Sequence, residues 1–146
     1  MTNAVKELRP ENFTERLEPI FRHIEKEINE PGRLNSAHFF PCWRRLMELG
    51  VARTWETEGA VLGAIYSPDP FSGKTRAHVC FWFSLPEARG TGETMNLLIT
   101  FEQASKKAGC TVISSSASMK VNPGKLSRIY LHRGYFLSEQ IYSKDL

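Results

Sequence analysis

Three cysteines, odd in number and far apart, are too few to organise this chain of 146 residues. Cys42, Cys80 and Cys110 form no C-x-x-C pair. This spacing excludes a disulfide framework and gives no sign of a zinc site, so we expect no metal. We expect each cysteine to pack as a small apolar side chain in a reducing compartment.

Long apolar runs and a large charge of one sign are also lacking. The longest strongly apolar stretch, around residues 79–83, is far too short to span a bilayer. The N-terminal MTNAVKELRPENF lacks the basic stretch and apolar run of a signal peptide. The net charge of +3 suits an anionic ligand but does not indicate nucleic acid. We therefore expect a cytoplasmic protein that binds neither membranes nor nucleic acid.

The composition is that of an ordinary folded domain, with 41% hydrophobic, 11% aromatic and 24% charged residues. The length predicts one domain, residues 1–146. Apolar periodicity and turn residues predict strands at 5–8, 51–56, 60–66, 77–85 and 111–117, helices at 13–30, 37–49, 93–108 and 122–132, and a final strand or hairpin at 135–144. This order predicts a mixed α/β sheet with helices on both faces.

The most informative segment is PEARGTGETMNLLITFEQA, in which a predicted strand, a turn of small residues and a helix follow one another. Gly90 and Gly92 let backbone N–H groups approach a ligand closely. The first turn of the helix adds N–H donors without intrahelical partners, at the positive end of the helix dipole. Such a turn binds phosphate oxygens, and Arg89 adds a fixed positive charge.

Two interpretations of this turn remain open from the residues alone. The glycines can serve the geometry of an ordinary strand-to-helix turn, with Arg89 solvated, or the turn can hold a phosphate. Two common phosphate loops are excluded. The Walker pattern lacks its Gly-Lys-Ser/Thr, and Met95 stands where G-x-G-x-x-G needs its last glycine.

The turn resembles the acetyl-coenzyme A signature of the GNAT superfamily of N-acetyltransferases, Q/R-x-x-G-x-G/A. Arg89 and Gly92 match its first two specified positions, while Thr94 is larger than the glycine or alanine of the third. Further along, YLHRGY from Tyr130 is similar to the family's Y-x-K-x-G-F. The chain's ending is also similar to acetyltransferase-like proteins of tailed phages and prophages.

The resemblance implies a GNAT-like fold, α/β (α+β), with a mixed, mostly antiparallel central sheet flanked by helices on both faces. It also implies that acetyl-CoA is the cosubstrate and that the acetyl group passes directly to a primary amine of a small molecule or protein. The family often has an asparagine seven residues before its tyrosine, whereas Asn122 stands eight residues before Tyr130. The implied coenzyme-binding residues are Phe83, Ser84, Arg89, Gly90, Thr91, Gly92, Glu93, Thr94 and Asn122.

Acetyl transfer to an amine needs a base for the amine, donors for the oxyanion and an acid for the thiolate. By resemblance, Tyr130 is the acid, and a backbone N–H near Phe83 or Ser84 is the oxyanion donor. His78, on the predicted central strand, is our candidate base. Glu56, Glu58, Glu139 and ordered water remain alternatives. An aromatic group around Phe39 and Trp43 either packs in the core or lines an acceptor pocket.

A second functional hypothesis is a non-catalytic, phage-encoded protein of this fold that binds coenzyme A or a protein partner. Thr94, the displaced Asn122 and the lack of an evident carboxylate base favour it. Calorimetry with acetyl-CoA tests both hypotheses, and release of thiol separates them. The sequence leaves the acceptor and the oligomeric state open, a homodimer included.

The proposed acid gives a direct test. Replacing Tyr130 with phenylalanine removes the hydroxyl but keeps the ring, so we expect turnover to fall while affinity for the coenzyme stays nearly intact. Steady-state rates and calorimetry of the Tyr130→Phe variant measure the two quantities. Unchanged turnover would remove Tyr130 from this role.

Overall fold

The computed structural model describes residues 4–28, 34–116 and 123–146 of the chain. It divides into two compact units, Met1–Ser115 and Ser116–Leu146, which we describe separately. That the whole chain forms one domain stays a prediction. Among the described residues, no helix has both the length and the apolar character needed to cross a membrane.

The order of elements in the first unit follows the predicted one, with bounds that differ by a few residues at most. Its elements are β1 (Lys6–Glu7), α1 (Phe13–Ile28), α2 (Ser36–Glu48), β2 (Ala52–Glu56), β3 (Ala60–Pro68), β4 (Thr75–Ser84), α3 (Glu93–Lys107) and β5 (Val112–Ser114). The second unit contains α4 (Pro123–His132).

The final strand or hairpin predicted at residues 135–144 is wrong, because residues 135–146 contain neither helix nor strand. Apolar residues at 135–137 and 141–142 favoured a strand there, but Phe136, Ile141 and Tyr142 are exposed. A strand forms only where a sheet edge pairs with it, and no ladder involves these residues.

Two of the cysteines also depart from expectation, since Cys42 and Cys80 are exposed.

The five strands form one sheet in the order β1-β2-β3-β4-β5. The first three pairings are antiparallel, and β4 with β5 is parallel, with α3 as the crossover between them. This confirms the mixed, mostly antiparallel sheet. The parallel ladder is short: it runs only from Arg76↔Val112 to His78↔Ser114, whereas β4 continues to Ser84 beside β3.

Helices α1 and α2 cover one face of the sheet through aromatic side chains. Phe21 of α1 lies 4.7 Å from Phe39 of α2 and 5.4 Å from Phe81 of β4, measured between ring centroids. Trp43 of α2 is buried, and its Nε1 donates to Thr54 Oγ1 of β2 at 2.8 Å. Most of the predicted aromatic group is therefore packed in this core.

Helix α3 covers the opposite face. Leu97, Leu98 and Phe101 are fully buried, and the ring of Phe101 lies 6.1 Å from that of Trp55 in β2. A polar contact adds to this packing, because the hydroxyls of Tyr66 and Ser105 are 2.7 Å apart. Helices on both faces of the sheet, as predicted, bury both sides of its central strands.

A β-bulge in β4 changes which side chains share a face. Gly63 pairs with Phe81 and Ala64 pairs with Val79, so Cys80 is the extra residue. Because cross-strand partners lie on the same face, Val79 lies beneath α3 with Ala64, while Phe81 lies on the α1–α2 face with Gly63. The two side chains are both buried, but on opposite faces.

Gly63 gives Phe81 its place, and this predicts a coupled effect on stability. A Cβ atom at residue 63 would overlap Cζ of Phe81, so the ring occupies the space of the missing side chain. We expect Gly63→Ala to lower the free energy of unfolding by about 1–3 kcal/mol through overpacking.

Urea denaturation of a double-mutant cycle measures the coupling. In a Phe81→Leu background the ring is gone, so Gly63→Ala should cost clearly less than in the wild type. Equal costs in both backgrounds would show that the contact between the two residues does not determine the effect.

Candidate functional site: the turn between β4 and α3

The turn that follows β4 has a backbone that requires glycine. A single 3₁₀ turn at Pro86–Ala88 leads into Arg89, and Gly90 and Gly92 then adopt φ angles of +81° and +89°. Residues other than glycine rarely adopt such angles. A Cβ atom at either position would have no described atom within 4 Å, so the space beside both glycines is open.

Gly92 is the N-cap of α3, and the helix beyond it presents backbone donors. The first helical bond runs from the Asn96 N–H to the Gly92 carbonyl, at 2.9 Å. The N–H groups of Thr94 and Met95 therefore have no partner within the helix. They lie at the positive end of the helix dipole, beside the open glycine backbone, where an anion is stabilised.

Thr91 and Glu93 make internal contacts that shape the turn. The Thr91 hydroxyl donates to the Ala88 carbonyl at 2.7 Å and accepts from the Glu93 N–H at 3.3 Å. The Glu93 carboxylate accepts from the Thr57 hydroxyl at 2.8 Å. This bond holds the acidic charge toward the β2–β3 connection.

Thr94, which departs from the family signature, turns its hydroxyl inward. Its Oγ1 is buried and has no hydrogen-bond partner among the described residues. Its carbonyl accepts from Trp82 Nε1 at 3.0 Å, which ties the start of α3 to β4. At this position the backbone N–H, rather than the buried hydroxyl, is the group suited to bind a ligand.

The β2–β3 connection packs against the turn, and this contact between distant segments was not predicted from the sequence. The Leu85 N–H donates to the Gly59 carbonyl at 2.8 Å. A Cβ atom at Gly59 would lie 2.8 Å from that of Ala88, so only glycine permits this close approach. The only signal in the sequence is the Glu58-Gly59 pair between two predicted strands, which indicates a hairpin turn but not its contact with a distant segment.

Arg89 is held by two acceptors on different elements. Its Nη2 donates to Glu27 Oε2 of α1 at 2.7 Å and to the Ser84 carbonyl at 3.0 Å. The hydrogen bond from Arg89 lowers the pKa of the Glu27 carboxyl, and the same bond raises the pKa of Arg89. The arginine expected to contact phosphate thus already binds a carboxylate of its own chain.

The end of β4 directs alternate backbone groups to its two sides. Because the Leu85 N–H bonds to Gly59 on the β3 side, the alternation of an antiparallel ladder also directs the Phe83 N–H toward β3. The N–H of Ser84 then points away from β3, as does its carbonyl, which accepts from Arg89. Of the two predicted oxyanion donors, Ser84 has the better placed backbone.

His78 lies where β4 and β5 part. Its Nδ1 is 2.8 Å from Ser114 Oγ, its cross-strand partner, and the imidazole is exposed. Beyond this pair, no described strand bonds to β4 on the β5 side. His78 pairs with Ile65 of β3 and therefore lies on the face of α1 and α2.

The remaining predicted residues include the acid Tyr130, the coenzyme residue Asn122 and the alternative base Glu56. Tyr130 belongs to the second unit, where it is 8% exposed and its hydroxyl donates to the Ser116 carbonyl at 3.4 Å. Asn122 lies outside the described residues. Of the alternative bases, Glu56 is buried and pairs with Arg16, with 2.7 Å between carboxylate oxygen and guanidinium nitrogen.

The arrangement suits an extended anionic ligand such as the coenzyme diphosphate. The end of β4 offers the outward N–H of Ser84, and the turn that follows has open space beside Gly90 and Gly92. The start of α3 then adds the backbone donors of Thr94 and Met95. Over the described ranges, no group of three or more histidine, cysteine, aspartate or glutamate side chains is arranged to hold a metal ion.

Comparisons with solved structures identify the fold as that of acetyltransferases. An aminoglycoside acetyltransferase, HMB0005, from an uncultured soil metagenomic sample superposes with a TM-score of 0.70 at 16% identity, covering 100% of this chain and 98% of that one. Ribosomal-protein-alanine N-acetyltransferase from Brucella melitensis biovar Abortus 2308 gives 0.74 at 11% identity, covering 98% and 99%.

A predicted acetyltransferase from Clostridium acetobutylicum, solved with acetyl-CoA, gives a TM-score of 0.74 at 14% identity and covers 97% of this chain and 95% of that one. No protein-family model and no curated protein sequence matches the chain. The resemblance to the GNAT superfamily is confirmed in the fold.

Two glycines with the same backbone conformation allow a controlled test of the turn. Gly92 at the start of α3 has φ +89°, and Gly109 just after its end has φ +85°, both with open space at the Cβ position. We expect alanine at either position to cost about 1 kcal/mol of stability, because the left-handed region is strained for alanine.

Only Gly92→Ala should weaken the binding of acetyl-CoA, because only its methyl group enters the turn. Thermal unfolding and calorimetric titration of both variants separate the two effects. Equal coenzyme affinities for Gly92→Ala and Gly109→Ala would contradict a ligand site at the turn.

Proposed function

We propose that this protein is an acetyl-CoA-dependent N-acetyltransferase that transfers an acetyl group directly to a primary amine. One observation carries the proposal: β4 leaves β5 at His78 and leads, at its free end, into a glycine turn with helix-terminal amides. The acetyltransferase fold neighbours support it, one of them solved with acetyl-CoA.

In the proposed complex, the coenzyme supplies an acetyl group activated as a thioester. The backbone N–H groups of Gly92, Thr94 and Met95 bind the diphosphate, because they lie at an open helix N-terminus. The outward N–H of Ser84 binds a carbonyl oxygen alongside β4 and stabilises negative charge that develops there.

His78 is the proposed base that accepts the amine proton. Its Nδ1 contact with Ser114 fixes the ring, and the imidazole is exposed to solvent. Tyr130 is the proposed acid by its match to the family motif. The acceptor class is a primary amine, in keeping with neighbours named for aminoglycosides and for a protein alanine. A cytoplasmic location is part of this proposal.

The second candidate is a non-catalytic protein of this fold that binds coenzyme A. The surroundings of Tyr130 favour it, because its buried side chain and its bond to the Ser116 carbonyl are those of a structural tyrosine. This candidate requires the glycine turn but neither the acid nor the base.

Two measurements test the proposal. Calorimetric titration with acetyl-CoA should show binding at sub-millimolar concentration, and its absence would contradict both candidates. An assay of thiol release across a panel of aminoglycosides, polyamines and peptides with free N-termini should then find an acceptor.

The His78→Gln variant serves as the matched control in the second assay. It should bind acetyl-CoA as the wild type does but release thiol more slowly, because glutamine cannot accept the amine proton. Coenzyme binding without thiol release for any acceptor would favour the non-catalytic candidate.

A further inference from the structure

The contact between Arg89 and Glu27 joins the coenzyme turn to helix α1. Arg89 Nη2 lies 2.7 Å from Glu27 Oε2 and 3.0 Å from the Ser84 carbonyl oxygen. Both charged side chains are about half exposed, at 42% and 43%. Glu27 comes from a segment 62 residues earlier in the chain, so only the tertiary structure brings the two together.

Because of the geometry of its guanidinium, Arg89 cannot keep both of its present acceptors and also bind a phosphate through two parallel N–H groups. Nη2 carries two hydrogens, and here Glu27 and the Ser84 carbonyl accept one bond each. A phosphate is gripped by two parallel N–H groups, either Nη1 with Nη2 or Nε with Nη2. Since both pairs need Nη2, Arg89 cannot take a phosphate in this way until one acceptor leaves.

Glu27 is the acceptor that can leave. The Ser84 carbonyl is part of the backbone at the end of β4, whereas the Glu27 carboxylate is at the tip of a half-exposed side chain that water can solvate. Glu27 Oε2 also lies 3.7 Å from Nε2 of His23, one helical turn earlier.

We propose that Glu27 is an internal competitor of the coenzyme: its carboxylate occupies Arg89 in the free protein and is displaced when a diphosphate binds. The inference rests on the proposed coenzyme site. Glu27 thereby sets the affinity of that site, acting through Arg89 and without touching the reacting atoms. Because exposed ion pairs are weak, the competition reduces affinity by about two- to fivefold.

The test compares two variants that each neutralise one carboxylate on α1. Glu27→Gln removes the competitor, and Glu18→Gln is the control, because Glu18 forms an exposed ion pair with Arg22 at 2.6 Å on the same helix. Calorimetric titration with coenzyme A should show about two- to fivefold tighter binding for Glu27→Gln and no change for Glu18→Gln. Thermal unfolding of each variant verifies that both are folded.

A second arm repeats the titration in an Arg89→Ala background. There Glu27 has nothing to compete for, so Glu27→Gln should no longer change the affinity. Tighter binding that persists without Arg89 would overturn the proposal in favour of general charge repulsion.

A purely structural brace gives the opposite result. In that case Glu27→Gln loosens Arg89, and binding of coenzyme A becomes weaker or stays the same, which would overturn the inference while leaving the coenzyme site intact. If the wild type and every variant fail to bind coenzyme A, the proposed function itself fails.

Discussion

Strand β4 is bonded to β3 along its whole length but to β5 over only three residue pairs. The backbone donors of the candidate site depend on this difference between the two edges of β4. A strand held on both sides has no backbone donor to offer, whereas the far half of β4 keeps alternate amides on the β5 side directed away from β3. His78 marks the last shared pair, and the glycine turn begins just after the free half ends.

The turn keeps its orientation because other elements hold it. Positive φ angles at Gly90 and Gly92 need no side chain, but the orientation of the turn needs support from outside. The β2–β3 connection supplies it through the bond from the Leu85 N–H to Gly59 and the close approach of Gly59 to Ala88. A ligand site built on backbone amides thus depends on a hairpin that need not touch the ligand.

The charges around the turn are held by partners within the protein. Glu93, at the first position of α3, is bound by Thr57, and Arg89 is bound by Glu27. In each contact the charged group is bound to another side chain and not to the backbone donors at the helix start. The groups that the turn offers to an anion are therefore chiefly oriented amides, which are fixed by the fold and carry no net charge.

Much of the fold was predictable because local rules determine it. Turn chemistry and apolar periodicity act between neighbours in sequence. They predict the turn at Gly90 and Gly92, the helix that begins after it and the order of the strands. The family resemblance of Arg89 and Gly92 predicted the place of the candidate site for the same reason. The prediction of a final strand at 135–144 failed because apolar residues in one segment cannot supply a sheet edge to pair with.

What the tertiary structure decided are contacts between segments distant along the chain. Residues 77, 79, 81 and 83 alternate as if on one face, but the bulge at Cys80, set by pairing with Gly63 and Ala64, divides them between two faces. The pairs Glu27–Arg89, Thr57–Glu93 and Gly59–Ala88 are likewise absent from any local pattern. The sequence by itself determined which short segment has the glycine turn and helix start of a candidate anion site, because backbone conformation is local. Only the fold decided which side chains surround it, because that depends on how helices and strands pack across the whole sheet.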